Sequence, residues 1–403
     1  MTAGPLQGIR ILDLSSVLMG PFTTQILGDL GADVIKVEMP GGDNSRFITK
    51  GRHEGMGGMT LNLHRNKRGI VLNLKHPEGK AALLRLVEDA DVFFYNIRPQ
   101  AMARLGLSYE DVSAVNPRII YVGAYGYHKE GPYGPKGAYD DLIQGISGIA
   151  ALNGRLLGEP RYVPAAMCDK ISGLTALYSI LAALLHRERT GEGQQVDVTM
   201  FETMVAFNML EHIRDFVFEP PMGQVGYVRL LSPNRKPFAS ADGYVCILPY
   251  SNANWRDIFT FADLTHLAED ERYTTIRGRT ENSDELYGHL AEAAARHTTD
   301  EWLEFCDANN IPCAPVVDLQ DMFEDPHLKQ TGFFQTAEHP TEGEYKVIGF
   351  PTRFSKSPMA LHRHAPRAGE QSREILAEAG YSEAEIQAML DAGAVSEPQV
   401  SEP

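Results

Sequence analysis

Asp169 has the setting in this 403-residue chain that most invites chemistry. It stands where a loop, Pro164 to Cys168 (PAAMC), meets a long apolar helical pattern, Asp169 to Glu188. A carboxylate there can cap the helix, because N-caps favour Asp. It can also serve as a nucleophile whose charge the helix N-terminus steadies. Position alone favours the cap. Cys168 is a second potential nucleophile, although a buried, inert thiol is the commoner use of such a residue. The other cysteines are Cys246, Cys306 and Cys313. None forms a CxxC pair, and four are too few for a disulfide framework. No HExxH, zinc spacing or calcium loop occurs, so no metal is expected. There is no GxGxxG or GxxxxGK[ST] after the first strand pattern, which disfavours a simple nicotinamide enzyme or an ATPase. The GxSxG elbow is missing as well.

Composition narrows the classes further. Apolar residues make up 43% and charged residues 22%, as in ordinary globular proteins. The length suggests two domains. A net charge of −16 argues against nucleic acid as a partner. An anionic ligand would be repelled at long range, so its site needs local Lys and Arg. No run reaches the ~18 to 20 apolar residues of a membrane span. Met1 to Arg10 lacks the basic start and apolar core of a signal peptide, so a cytoplasmic enzyme with no membrane association is expected.

These residues must be positioned by a recognisable frame. Ile9 to Leu14 predicts a strand, Ser15 to Pro21 a break, Phe22 to Leu30 a helix and Val34 to Val37 a second strand. This βαβ unit occupies about 30 residues. Further strands are predicted at Ile70 to Leu74, Asp91 to Tyr95, Ile119 to Val122 and Gln195 to Val198. Helices are predicted from Pro77 to about Asp89 and from Pro99. Such alternation predicts an open, mostly parallel α/β sheet with ligands at the carboxyl ends of its strands. Met200 to Phe218 reads as a core or subunit-interface helix. A Pro- and Gly-rich stretch near 220 to 235 reads as a linker. The expected division is a large domain over 1–220, a smaller α+β domain over 221–325, and a linker with a return to the large domain over 326–395. A last helix is expected at Ala368 to Gly380, and a disordered tail after Val395.

Five segments, in order, resemble the class III CoA-transferases. They are the DLSSVLMGPFTTQILGDLGADVIKVE opening, LNLHRNKR at Leu61 to Arg68 and NIRPQAMARLGL at Asn96 to Leu107. GYHKEGPYGPKGAYDDLIQ at Gly126 to Gln144 and the stretch from Cys168 to Glu202 complete the set. The resemblance implies a Rossmann-like large domain, a smaller domain and an interlocked homodimer. It implies coenzyme A and acyl-CoA as substrates, a small carboxylic acid as the other partner, and no tightly bound cofactor. It implies that Asp169 is the nucleophile, through an anhydride and then an aspartyl-CoA thioester. Residues implied to line the CoA site are Leu18, Met19, Leu72, Asn73, Leu74, Lys75, Asn96, Ile97, Arg98, Arg104, Gly137, Ala138, Tyr139 and Asp140. Arg104 is the best phosphate partner by its forked guanidinium. Arg46, Arg52, His53 and Arg65 are candidates for a second carboxylate.

The chain departs from its likenesses in three places. Met39 stands where formyl-CoA transferases have an arginine. Leu248 to Trp255 (LPYSNANW) lacks their glycine run over the reacting aspartate. Ala138-Tyr139-Asp140 replaces the GHD of the α-methylacyl-CoA racemases, which share the fold and are the rival reading. A phenol with a pKa near ~10 is a poor base at neutral pH, so Tyr139 disfavours racemisation.

Overall fold

A computed structural model of the chain describes residues 4–398. Its strands run in chain order: β1 (Arg10–Asp13), β2 (Asp33–Glu38), β3 (Lys67–Leu72), β4 (Val92–Tyr95), β5 (Ile120–Tyr125), β6 (Gln194–Thr199), β7 (Phe238–Ala239), β8 (Tyr244–Ile247), β9 (Cys313–Pro315), β10 (Phe334–His339), β11 (Gly343–Ile348) and β12 (Val395–Ser396). Seven of them form one sheet in the order β12-β3-β2-β1-β4-β5-β6. β1 to β6 are all parallel. The mostly parallel α/β sheet expected from the sequence is therefore present. The chain steps outward from β1 through β2 and β3, then restarts at β4 on the other side. A crevice opens at the carboxyl ends where that order reverses.

Parallel strands covered on both faces require near-continuous apolar runs. Leu12, Ile35, Ile70, Phe93 and Tyr121 supply them and are fully or almost fully buried. The first helix, Met19–Asp29, begins earlier than the expected Phe22 and takes in Gly20 and Pro21. At the far end, Ser372–Glu378 and Glu383–Asp391 are two helices where one was expected. The tail forms an ordered edge: β12 pairs antiparallel with β3, Val395 opposite Leu72. A two-residue strand carries no periodicity by which to predict it. Residues 399–403 of the expected disordered tail lie outside the described residues.

The strands also bury charge. Lys36 on β2 and Lys67 on β3 are almost wholly inaccessible. Lys67 Nζ lies 3.2 Å from Asp13 Oδ2 and donates to Thr24 Oγ1 at 2.8 Å. Lys36 Nζ lies 3.1 Å from Asp43 Oδ2. Arg46 makes a forked pair with Glu38 at 2.7 Å, and Arg65 holds Asp29 at 2.7 Å. Arg46 and Arg65 are thus committed to buried ion pairs rather than available for a second carboxylate. His53 Nδ1 meets Glu342 Oε1 at 2.9 Å, and Arg52 donates to the carbonyls of Glu342 and Glu344.

The chain forms two compact units. The first holds the described residues up to Ile146, Pro164–Val205 and those from Lys329 on; the second holds Ser147–Val163 and Ala206–Leu328. The second has its own core around Trp255, Ile258, Phe259, Leu290 and Trp302, with the three-stranded sheet β7-β8-β9. One described helix, Met167–Thr190, has the length and apolar composition of a membrane span, contrary to the expectation of no such run. It packs on the first helix, on the Asp140–Ile146 helix and on β5 and β6.

Candidate active site

The Met167–Thr190 helix carries Asp169, and its ends are fixed. Ala166 occupies the N-cap and makes no side-chain bond. Asp169 sits inside the first turn, so it is not the cap that its sequence position favoured. About one turn on, the helix presses against the first helix at Gly173. A Cβ there would come within 2.8 Å of the Met19 carbonyl oxygen, and Thr23 Oγ1 donates to the Gly173 carbonyl at 2.9 Å. Only glycine permits that approach. At the far end Arg187 pairs with Asp91 at 2.7 Å, and Gly191, with φ of 81°, ends the helix in the left-handed conformation.

Asp169 is part-buried and makes no ion pair among the described residues. Its backbone N–H donates to Asp140 Oδ1 at 3.0 Å. Burial, and then the negative charge of Asp140, push the Asp169 carboxyl up to about 6. Such a carboxylate is ionised at neutral pH but poorly stabilised, as suits a nucleophile. Its neighbour Cys168 is fully buried. Burial, Asp140 and Asp169 raise that thiol to about 12, so it stays protonated and inert.

A cavity of about 490 Å³ opens at the carboxyl ends of β1 to β4. Leu14 to Ser16, Lys36 to Pro40, Gly42 to Asn44, Leu72 to Lys75, Ile97 and Leu105 line it. Leu72, Asn73, Leu74, Lys75 and Ile97 of the predicted residues are thus brought together. Leu18, Met19, Asn96, Arg98, Arg104 and Gly137 to Asp140 are not part of its wall. Asn96 acts on that wall indirectly: its Oδ1 accepts the Ser16 N–H at 2.9 Å and its Nδ2 donates to the Ser16 carbonyl at 2.8 Å. Arg98 donates to the Pro135 carbonyl at 3.1 Å. Neither Arg98 nor Arg104 pairs with a carboxylate among the described residues, which leaves both cations able to meet phosphate. Tyr139, 71% exposed, stands just before the Asp140–Ile146 helix.

Sequence reasoning missed Asp43. Its Oδ1 accepts the N–H groups of Val17 at 3.0 Å and Ser45 at 2.9 Å. Val17 has a φ of 68°, a conformation that costs a β-branched residue roughly 1–3 kcal/mol. Asp43 and Asn96 together hold the strained turn that leads into Leu18 and Met19. The lone Gly41-Gly42-Asp43 motif was the available signal.

The family model of CoA-transferase family III matches residues 6–372. The chain belongs to CoA-transferase family III. This CoA-transferase is 32% identical to the succinate–glutarate CoA-transferase of Agrobacterium fabrum, over 93% of its own length and 95% of the relative's. It is 33% identical to the succinyl-CoA:glutarate CoA-transferase of Homo sapiens, over 98% and 90%. The crystal structure of a CAIB/BAIF family protein from Brucella suis superposes with a TM-score of 0.78 at 31% identity, covering 94% of this CoA-transferase and 100% of that chain.

Proposed function

We propose that this CoA-transferase moves CoA from an acyl-CoA donor to a carboxylic acid through a covalent intermediate on Asp169. The observation that carries this reading is the Asp169 carboxylate itself: part-buried, without an ion pair, and raised to about 6 by burial and Asp140. An Asp169 oxygen attacks the thioester carbonyl and expels the CoA thiolate, giving a mixed anhydride. The thiolate then attacks the Asp169 carbonyl carbon, which frees the first acid and leaves an aspartyl-CoA thioester. The acceptor carboxylate reverses the two steps and departs as the new thioester. Thioester energy is conserved and one hard exchange becomes several easier ones.

The cavity at the ends of β1 to β4 is the proposed seat of the nucleotide part of CoA. Arg98, Arg104 and Lys75 supply the local positive charge that a chain of net charge −16 must gather around phosphates. Gly137, Ala138, Tyr139 and Asp140 would line the path toward Asp169. The substrate acids proposed are short dicarboxylates, by likeness to the succinate–glutarate and succinyl-CoA:glutarate enzymes. An interlocked homodimer is proposed too, supported by the exposed apolar residues Leu174, Tyr178 and Leu185 on the Asp169 helix. Light scattering on the purified protein tests that assembly.

Racemisation is not supported, since Tyr139 stands where the racemases place their histidine. Succinyl-CoA with a panel of acceptors (glutarate, oxalate, mesaconate) tests the transferase reading, with deuterium exchange at carbon 2 of a branched acyl-CoA run alongside. Exchange without transfer would reverse the assignment.

A further inference from the structure

The anhydride and thioester steps leave Asp140 without a task, yet the fold fixes it against the nucleophile. Asp140 opens its helix; Oδ1 accepts the Asp169 N–H at 3.0 Å and Oδ2 accepts Gln144 Nε2 at 2.6 Å. Gln144, buried, also donates to the Ala165 carbonyl at 3.3 Å. Asp140 and Gln144 together therefore grip the backbone from Ala165 to Asp169. Asp140 itself has no Lys or Arg partner among the described residues, so its negative charge is uncompensated there. It also occupies a backbone N–H in the first turn that would otherwise be free to stabilise an anion.

We propose that Asp140 is a positioning residue that biases the enzyme toward its covalent stage: its fixed negative charge disfavours the free Asp169 carboxylate and so favours the uncharged aspartyl-CoA thioester. The proposal rests on the aspartyl mechanism above.

Charge bookkeeping over the donor half-reaction gives the reason. An Asp169 oxygen bonds to the thioester carbonyl carbon as the C–S bond breaks, and the electron pair leaves on sulfur. The thiolate bonds to the Asp169 carbonyl carbon as the bond from that carbon to the acyl-bearing oxygen breaks. The first acid leaves as its carboxylate. One negative charge has moved from Asp169 to the departing acid, and no proton, oxidant or reductant is consumed. A like charge nearby raises the energy of the starting anion and leaves the neutral thioester almost untouched. Burial of Asp169 acts in the same sense.

The other ionisable groups near Asp169 are few. Its own helix brings Cys168 and Lys170, and the Asp140 helix adds Asp141. On the elements packed against the helix, Tyr121 and Tyr125 of β5 interact with Tyr95 and Asp197, and Asp29 of the first helix pairs with Arg65, so among the described residues Asp140 is the charge that acts on Asp169.

The test is the fraction of enzyme carrying CoA after incubation with succinyl-CoA and no acceptor, read by intact-protein mass spectrometry after an acid quench. Asp140→Asn keeps an oxygen for the Asp169 N–H and removes the charge. Its ratio of adduct to free enzyme is expected to fall by roughly tenfold for each pKa unit that Asp169 loses. In the same variant the acidic limb of kcat/KM moves to lower pH. Asp141→Asn, one residue along and exposed, leaves both readings unchanged. If Asp140→Asn does not fold, Asp140→Ser offers an uncharged acceptor and is read the same way. Adduct fraction and pH limb equal to wild type in a folded variant overturn the role of Asp140 alone. A wild-type enzyme that turns over without adduct, with Asp169→Ala still active, overturns the aspartyl mechanism and this proposal with it.

Discussion

Asp13 and Asp169 are both withdrawn from solvent in the same unit, and their surroundings drive them in opposite directions. Burial by itself would raise Asp13, but Lys36, Lys67 and the hydroxyls of Ser15 and Thr24 outweigh it and bring the group down to about 2. Asp169 has burial and a second carboxylate, and it rises to about 6. The first is a carboxylate whose charge the fold requires; the second is one whose charge the fold tolerates and chemistry can remove. Burial and proximity to charge do not mark a catalytic group; the sign of the neighbours does.

Substitution separates the two most strongly. Asp169→Ala is expected to lower kcat for CoA transfer by at least roughly 10³-fold, as loss of a covalent nucleophile does. Its thermal unfolding is expected to match or exceed wild type, since a poorly stabilised charge has been removed. Asp13→Ala is expected to do the reverse. It strands Lys67 in the core, while Lys36 keeps its ion pair with Asp43, and costs about 3–5 kcal/mol of stability, measured by denaturant unfolding. If Asp13→Ala proved fully stable and Asp169→Ala unfolded, the contrast would be inverted.

Arg104→Ala probes the nucleotide side and is expected to raise KM for the acyl-CoA roughly tenfold or more, the scale of a hydrogen bond to a charged group. Steady-state kinetics at fixed acceptor would show it, with kcat little changed. The smallest effect is in pH. In the proposed mechanism transfer uses the Asp169 carboxylate, so kcat/KM for the donor should fall as pH drops through about 6. Asp13 acts on stability at lower pH: its folded value lies below the unfolded 3.8, so its contribution is full above 3.8 and is lost as pH falls toward about 2. An activity limb near 4 with intact protein would erase the distinction.

The sheet was legible because a parallel strand buried on both faces must be written as an apolar run, as in IRILDL and DVFFY. The edge strand at Val395 was not, since two residues paired to β3 have no period of their own. Lys36 within VIKV and Lys67 within HRNKR give no sign in sequence of being buried, because their partners Asp13 and Asp43 are set by strand register and a turn. For the same reason Arg46 and Arg65 read as free cations, while the structure binds them to Glu38 and Asp29. Asp169 was singled out in the sequence by the motifs around it. Its contact with Asp140, 29 residues earlier in the chain, was not, because only the approach of two helices brings them together.

The most direct measurement is trapping. Enzyme incubated with succinyl-CoA is quenched with hydroxylamine, digested, and its peptides are mapped by mass spectrometry. The account predicts a hydroxamate on the peptide containing Asp169, at the Asp169 side chain and dependent on the donor. Rapid transfer without modification there, or with it confined to another residue, would contradict the assignment of Asp169 as the group that carries CoA.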